Sequence, residues 1–236
     1  MNVLLSELRR SLEELVLGLD GALNMSASME ALQSAITFNR VPASWGAAMS
    51  TRFEEVFSLA QWYEDVIKRH AQLAEWTKGE VVMPASVCLS LLFNPKAFVT
   101  SVMQTYARAN KLPLDAMKFV TDVTTKQPEQ LSEPAADGAY VHGLWLEGAR
   151  WDVKAGVLKD SLPKEIRQPM PVMQIKPVTA DKYNIKPYYI CPLYMNGQRA
   201  NVYSPCVSTE FTLRTKDAGS KWTLASVALL LQNEDS

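Results

Sequence analysis

From Met1 the apolar residues Leu5, Leu8, Leu12, Leu15, Leu19 and Ala22 recur at alternating steps of three and four, which places them in one stripe along a helix. The stripe fades toward Met29 and Ile36. Three heptads is short for a coiled coil, and Leu4, Val16 and Leu23 widen the apolar face. The pattern therefore predicts packing against a broad surface, a core or a larger partner, rather than a two-stranded zipper. A second helix is expected from Thr51, whose hydroxyl can cap the first turn while Glu54 reaches back. Its inner face would be Phe53, Val56, Phe57, Ala60, Tyr63, Ile67 and Ala74. Asn94 followed by Pro95 marks another start, an N-cap side chain and then a proline where its missing N–H costs nothing. Phe98, Val102 and Tyr106 would line that helix.

Beyond Pro113 the period becomes two: Met117, Phe119 and Val123 alternate with Lys118, Val120 and Asp122, the signature of a strand with one buried face. Further strands are predicted over 139–146, 149–154, 170–178, 187–195, 206–215 and 221–231, at spacings common in sandwiches and small barrels. In the last, Leu224, Ala225, Val227, Ala228, Leu229, Leu230 and Leu231 are apolar on both faces, so that strand should be covered on both sides. Proline follows the same division, since ten of the thirteen lie from Pro113 onward and the first half is left free for long helices. The fold class is α+β, with a helical part over 1–112 and a β part over 113–236.

Candidate chemistry concentrates in residues 137–152, DGAYVHGLWLEGARWD, which combine two tryptophans, an arginine, carboxylates and one of two histidines. Glu147 and Asp152 could be the acid and nucleophile of a glycoside hydrolase, with tryptophans stacking on sugar. The same residues read well as a hairpin. With Glu147 and Gly148 as a two-residue turn, Leu146 pairs with Ala149 and Leu144 with Trp151. Tyr140, His142, Leu144, Leu146, Ala149 and Trp151 then point inward. Trp145 faces Arg150 outside as a cation–π pair, and Asp152 lies uncrowded opposite Gly143. That register puts one carboxylate at the tip and the other down the flank, so the facing pair of a retaining glycosidase is not made within this stretch.

Composition narrows the remaining choices. Hydrophobic residues make up 47% and charged ones 21%, with a formal net charge of −1, so disorder is not indicated and no charge excess points to nucleic acid or anionic lipid. Cys88, Cys191 and Cys206 are too far apart for a disulfide framework and read as buried thiols in a reducing compartment. No secretory leader or membrane-spanning run stands out, and the chain reads as intracellular and soluble. His70 and His142 lack cysteine neighbours, which disfavours zinc. No phosphate loop, dinucleotide fingerprint, nucleophile elbow or zincin motif is present, and 219–223, GSKWT, precedes an expected strand rather than a helix. The residues alone describe a non-catalytic α+β module.

Several stretches together resemble the extreme C-terminal region of dynein heavy chains: VPASW (41–45), NPKAFVTSVMQTYARANKLPLDAMKF (94–119), DGAYVHGLWLEGARWD, SLPKEIRQPMPV (161–172), YYICPLY (188–194) and KWTLASVALLL (221–231). The likeness runs in order from about Arg40 to Gln232. Glu147, Gly148, Ala149, Arg150, Trp151 and Asp152, with the Lys-Trp of 221–222, resemble the axonemal heavy chains more than the cytoplasmic ones. Arg167 departs from the pattern, which commonly has an apolar or aromatic residue there.

The resemblance implies helices and an incomplete antiparallel barrel of about six strands, forming one cap domain across a face of a AAA+ ATPase ring. It implies a regulatory, structural role within a minus-end-directed microtubule motor of the axoneme of cilia and flagella, in the cytoplasm and cytoskeleton. ATP and Mg would belong to the parent motor, with no cofactor in this domain. The partners implied are the ring of the same heavy chain and other dynein subunits, with microtubules reached only through other parts of the parent and no nucleic acid or membrane. The stripe Leu5, Leu8, Leu12, Leu15 and Leu19 is the expected docking surface for the ring.

Overall fold

The computed structural model describes residues 1–49, 58–78, 83–183, 188–194 and 207–231, with backbone alone over 207–210. The protein divides into two compact units, Met1–Glu75 and Trp76–Ser236.

The first unit holds α1 (Asn2–Leu19), α2 (Ala27–Thr37), α3 (Ala43–Ala48) and all but the last residue of α4 (Leu59–Trp76). The face of α1 that is buried is Leu4, Leu8, Ser11, Leu15 and Gly18. At 100° per residue this face is turned by roughly 60° from the expected leucine stripe. The turn has a cause in two small residues. Ser11 satisfies its hydroxyl by donating to the Glu7 carbonyl at 2.7 Å, which leaves the oxygen free to accept from the Trp45 indole Nε1 at 2.9 Å. Trp45 in turn stacks on Trp62 with centroids 5.8 Å apart. At Gly18 an added Cβ would stand 2.7 Å from the Met25 sulfur, so the glycine lets this methionine lie close over the helix end.

In α4 the inward residues are Trp62, Val66 and Arg69, whereas Tyr63 and Ile67 of the expected inner face are 53% and 52% exposed. Trp62 takes the space against Trp45, and the face is set by that stack. Arg69 is then buried, and Asp65 one turn earlier accepts from its Nε at 2.5 Å. The expected start at Thr51 and Glu54, with Phe53, Val56 and Phe57, lies outside the described residues.

The described residues of the second unit form α5 (Pro95–Ala109), the six-residue α6 (Gly219–Leu224) and eleven strands. These are β1 (Val87–Cys88), β2 (Met117–Val123), β3 (Ala139–His142), β4 (Leu144–Glu147), β5 (Arg150–Asp152), β6 (Val157–Lys159), β7 (Arg167–Pro169), β8 (Met173–Thr179), β9 (Tyr188–Tyr194), β10 (Val207–Arg214) and β11 (Ala228–Leu231). As expected, Asn94 caps α5 by accepting from the Ala97 N–H at 2.9 Å; of the expected inner face Val102 is buried, Phe98 packs at the margin of the core and Tyr106 is half-buried, while Val99 and Ala107, not expected there, are buried.

One sheet runs in the order β1-β3-β8-β2 and another in the order β10-β9-β11-β4-β7. The two are joined by strands that pass from one sheet to the other. Gly143, at φ 75°, bends β3 into β4, and the Met170 N–H donates to the Leu144 carbonyl at 2.8 Å where β7 leads into β8. On the opposite side of this unit, the outer edges of β2 and β10 meet through threonines. The Thr121 N–H donates to the Thr212 hydroxyl at 2.8 Å, and the Thr212 N–H to the Thr121 hydroxyl at 3.3 Å. The result is an incomplete barrel of six strand positions, mostly antiparallel, with parallel pairing of β11 to β9 and β1 to β3. Leu146, Met173, Ile175, Cys191, Leu193, Phe211, Leu213, Leu229 and the α6 residue Trp222 fill it.

Three expectations about these strands are corrected. Strand 221–231 begins only at Ala228, because Gly219–Leu224 coil into α6 and bury Trp222, whose Nε1 donates to Thr215 at 2.7 Å. Strand 139–146 is broken at Gly143, where a Cβ would stand 2.5 Å from the Cys88 sulfur. The bend shifts the alternation by one, so Ala139 and Val141 are buried before it and Leu144 and Leu146 after it, while Tyr140 and His142 are only half-buried. Finally, β4 and β5 do not form a hairpin: β4 pairs with β11 and β7, and β5 pairs with β6. Leu146, Ala149 and Trp151 are nonetheless all buried, because Gly148 turns the backbone out of one sheet and β5 packs back over the core.

Candidate functional site

The residues singled out at 147–152 are separated rather than gathered. Glu147 ends β4 opposite Arg167 of β7, whose Nε donates to its carboxylate at 2.7 Å. Arg167, the departure from the family pattern, is thus the ion-pair partner of Glu147. Asp152 belongs to the β5–β6 pair, where Lys159 and the Ala155 N–H (2.9 Å) both donate to it. Those donors, Lys159 first, hold its carboxyl down to about 2, so the outer face that should have left it uncrowded is occupied. Each carboxylate has its own cation and its own sheet. Such an arrangement fixes strands, and it does not bring an acid and a nucleophile to one point.

Gly148 is needed where it stands, at φ 81° with a Cβ position 2.8 Å from the Ala225 carbonyl oxygen. Arg150 is half-buried, and its Nε has no hydrogen-bond partner among the described residues. The Trp145–Arg150 pairing rested on the hairpin register and loses that basis. Trp151 is 5% exposed and belongs to the core. Its backbone is held from the side by Gln168 of β7, which accepts from the Trp151 N–H at 2.7 Å.

Trp145 lines a shallow depression with His142, Gln127, Pro169 and Met170, holding about 30 Å³ of space, enough for a water molecule or two. Burial pushes the His142 imidazole below its ordinary value, opposed by the charge of Glu129. No group of three or more metal-ligating side chains is found among the described residues. At GSKWT the residues do not suit a phosphate: the Lys221 ammonium is bound by Asp217 at 2.8 Å and Asp160 at 2.9 Å, and a phosphate there would face both carboxylates. Cys88 and Cys191 are buried thiols, and Cys206 lies outside the described residues. No described helix is long and apolar enough to cross a membrane.

The leucine stripe divides into two roles. Leu8 and Leu15 are buried in the first unit, while Leu5, Leu12 and Leu19 are 37%, 40% and 58% exposed, with Val16 beside them at 55%. A narrower apolar band of four residues thus lies on the outside of α1. Sequence periodicity missed this because a leucine on the margin and one on the buried face have the same spacing, and the residues that turned the helix are Ser11 and Gly18. Gln168, Thr121 and Thr212 were also missed, since a polar side group standing in for a backbone ladder leaves no periodic trace.

The family of C-terminal domains of dynein heavy chains matches residues 1–231. The protein is 63% identical over 235 residues to the dynein alpha chain, flagellar outer arm, of Chlamydomonas reinhardtii, an alignment that covers 99% of the present sequence and 5% of that relative. It is 46% identical over 233 residues to the dynein beta chain, flagellar outer arm, of the same organism and 45% identical over 232 to the human dynein axonemal heavy chain 9, each alignment covering 98% of the present sequence and 5% of the relative. The present sequence thus spans about 5% of the length of the curated relatives it matches.

Proposed function

The protein belongs to the family of C-terminal domains of dynein heavy chains, its relatives are axonemal, and from that premise we propose that it is the non-catalytic cap of an axonemal motor's ATPase ring. In this reading ATP hydrolysis and movement along microtubules belong to other parts of the heavy chain, and the cap modulates them mechanically within the cilium or flagellum. A cap that contacts several ring modules favours the ring arrangements that preserve those contacts, which couples the modules without binding nucleotide.

The observation that carries the reading is the whole-length match to much longer axonemal relatives, of which these residues make up about 5%. The outer band Leu5, Leu12, Val16 and Leu19 supports it as the face turned to the ring, because adjoining exposed leucines and a valine on one helix mark an interaction surface. Leu8 and Leu15 hold the helix from behind. The separate ion pairs of Glu147 and Asp152 speak against the alternative of a carbohydrate hydrolase.

The test is made in the full-length heavy chain. Replacing Leu5 and Leu12 with glutamate should alter microtubule-stimulated ATP turnover and gliding velocity while leaving the domain folded by limited proteolysis. Unchanged turnover and velocity, in that variant and in one lacking the whole domain, would overturn the proposal.

A further inference from the structure

The barrel has a hinge on one side and a latch on the other. On the hinge side the two sheets share continuous backbone: β3 runs into β4 through Gly143, and β7 into β8 through residues 170–172, with the Met170 N–H donating to the Leu144 carbonyl and the Thr124 N–H to the Val172 carbonyl, both at 2.8 Å. On the latch side no ladder joins β2 and β10 among the described residues. The hydrogen bonds that cross this seam among the described residues are the reciprocal pair between Thr121 and Thr212. Each threonine is almost wholly buried, at 3% and 2% exposure, so each hydroxyl serves the opposite backbone and not solvent.

We propose that the barrel opens as a clamshell, with the sheets parting between β2 and β10 while the bends at Gly143 and 170–172 hold them together. A strand inside a sheet is secured by bonds along both edges, and its opening needs the loss of the whole ladder. Among the described residues β2 is laddered only to β8, over the full seven residues from Met117↔Thr179 to Val123↔Met173, and β10 only to β9. Parting the seam keeps both of these ladders intact and breaks two side-chain bonds. The opposing cost is the exposure of core residues next to the seam, Phe211 and Leu213, and the separation of α5 from one sheet, since that helix packs on β10 as well as on β2 and β8; the open state is therefore a minor one reached by local fluctuation and not by global unfolding. The closing element is polar, short and buried, and a pair of hydroxyls sets the balance between open and closed barrel. This inference concerns the barrel itself and does not rest on the cap reading.

Hydrogen–deuterium exchange with mass spectrometry on the full-length heavy chain tests it. Peptides covering 117–123 and 211–214 should exchange faster than those covering 144–147 and 228–231, although all contain buried strand residues. Thr121→Val removes one hydroxyl at nearly constant volume and should speed exchange at the seam by about tenfold while the central strands keep their protection. A Thr121→Cys, Thr212→Cys pair, once oxidised, should slow seam exchange by at least about tenfold and release it again on reduction. Seam peptides as protected as the central strands, or acceleration of seam and centre alike in Thr121→Val, would overturn the clamshell. If the cysteines do not couple, the valine variant decides alone.

Discussion

Gln168 reads the backbone of Trp151 from both sides: its Oε1 accepts from the Trp151 N–H at 2.7 Å, and its Nε2 donates to the Trp151 carbonyl at 3.4 Å. A primary amide presents the donor and acceptor of a peptide group, so Gln168 stands in for a neighbouring strand and ties β5 to the edge of β7. Gln168→Leu leaves the Trp151 N–H without a partner in a buried position and should cost about 1–3 kcal/mol. Urea denaturation of the 236-residue protein measures it. A change well under that range would mean that solvent satisfies this backbone and that Gln168 is dispensable.

Trp151→Ala should be far more damaging than Trp145→Ala. Trp151 is 5% exposed within the barrel core, and truncating a core tryptophan costs about 3–5 kcal/mol. Trp145 only lines the shallow depression beside His142. Of the expected contrast, Trp151 inward and Trp145 outward, what the fold shows is a difference in burial, Trp151 buried and Trp145 half-buried. Equal urea midpoints for the two variants would contradict the packing.

Much of this arrangement is legible in the sequence where one physical signal dominates. Asn94-Pro95 defines the start of α5, because a capping side chain and a proline without a needed N–H are a local matter. The alternation at Met117–Val123 marks β2. What cannot be read are decisions made by partners distant in sequence. Glu147-Gly148 has the local chemistry of a tight turn, yet β4 gains more by lying between β11 and β7 than by pairing with β5. Lys221–Leu224 are no worse in a strand than in a helix, and Trp222 settles the matter by reaching Thr215 from α6. Gly143 reads as one more strand residue, and its positive φ reverses the facing of Tyr140 and His142. At the candidate site, sequence identifies the family and the charged residues, while the pairing of Glu147 with Arg167 needs the fold.

That pairing gives a further expectation. Arg167 and Glu147 are partly exposed, at 34% and 22% of their side chains, and an ion pair so placed contributes about 0–1 kcal/mol after screening by water. Arg167→Leu, which restores the apolar character common in the family, should therefore shift stability by no more than that, in either direction. A loss of several kcal/mol would show that Arg167 organises the strand edge beyond this pair.

On α1 the two halves of the leucine stripe should respond oppositely to charge. Leu8→Glu and Leu15→Glu each bury an unpaired carboxylate in the first unit and should unfold it, seen as lost helical circular dichroism. Leu5→Glu and Leu12→Glu place the charge in water and should keep the fold, with a change in stability of about 1 kcal/mol or less. Reduced self-association of the second pair by sedimentation would fit removal of an exposed apolar band. Equal unfolding by both pairs would mean that the whole stripe is core.

His142 should make stability depend on pH on the acid side of neutrality. Its imidazole is held below the ordinary 6.5 by burial, against the opposing charge of Glu129, and its partner across the β1–β3 pairing is Cys88. The unfolded protein therefore takes up a proton near 6.5 while the folded one resists it. The sign follows: the stability associated with neutral His142 is fully present above 6.5 and is lost as pH falls from there toward the lower folded value. One proton limits the slope to about 1.4 kcal/mol per pH unit, and partial exposure reduces it further. His142→Gln, which cannot titrate, should flatten the dependence between about pH 7 and pH 5, where histidine is the side group that ordinarily changes charge. Urea midpoints of the two proteins across that interval decide it. Curves that remain parallel would mean that the imidazole takes up its proton alike in the folded and the unfolded protein, with Glu129 fully offsetting burial.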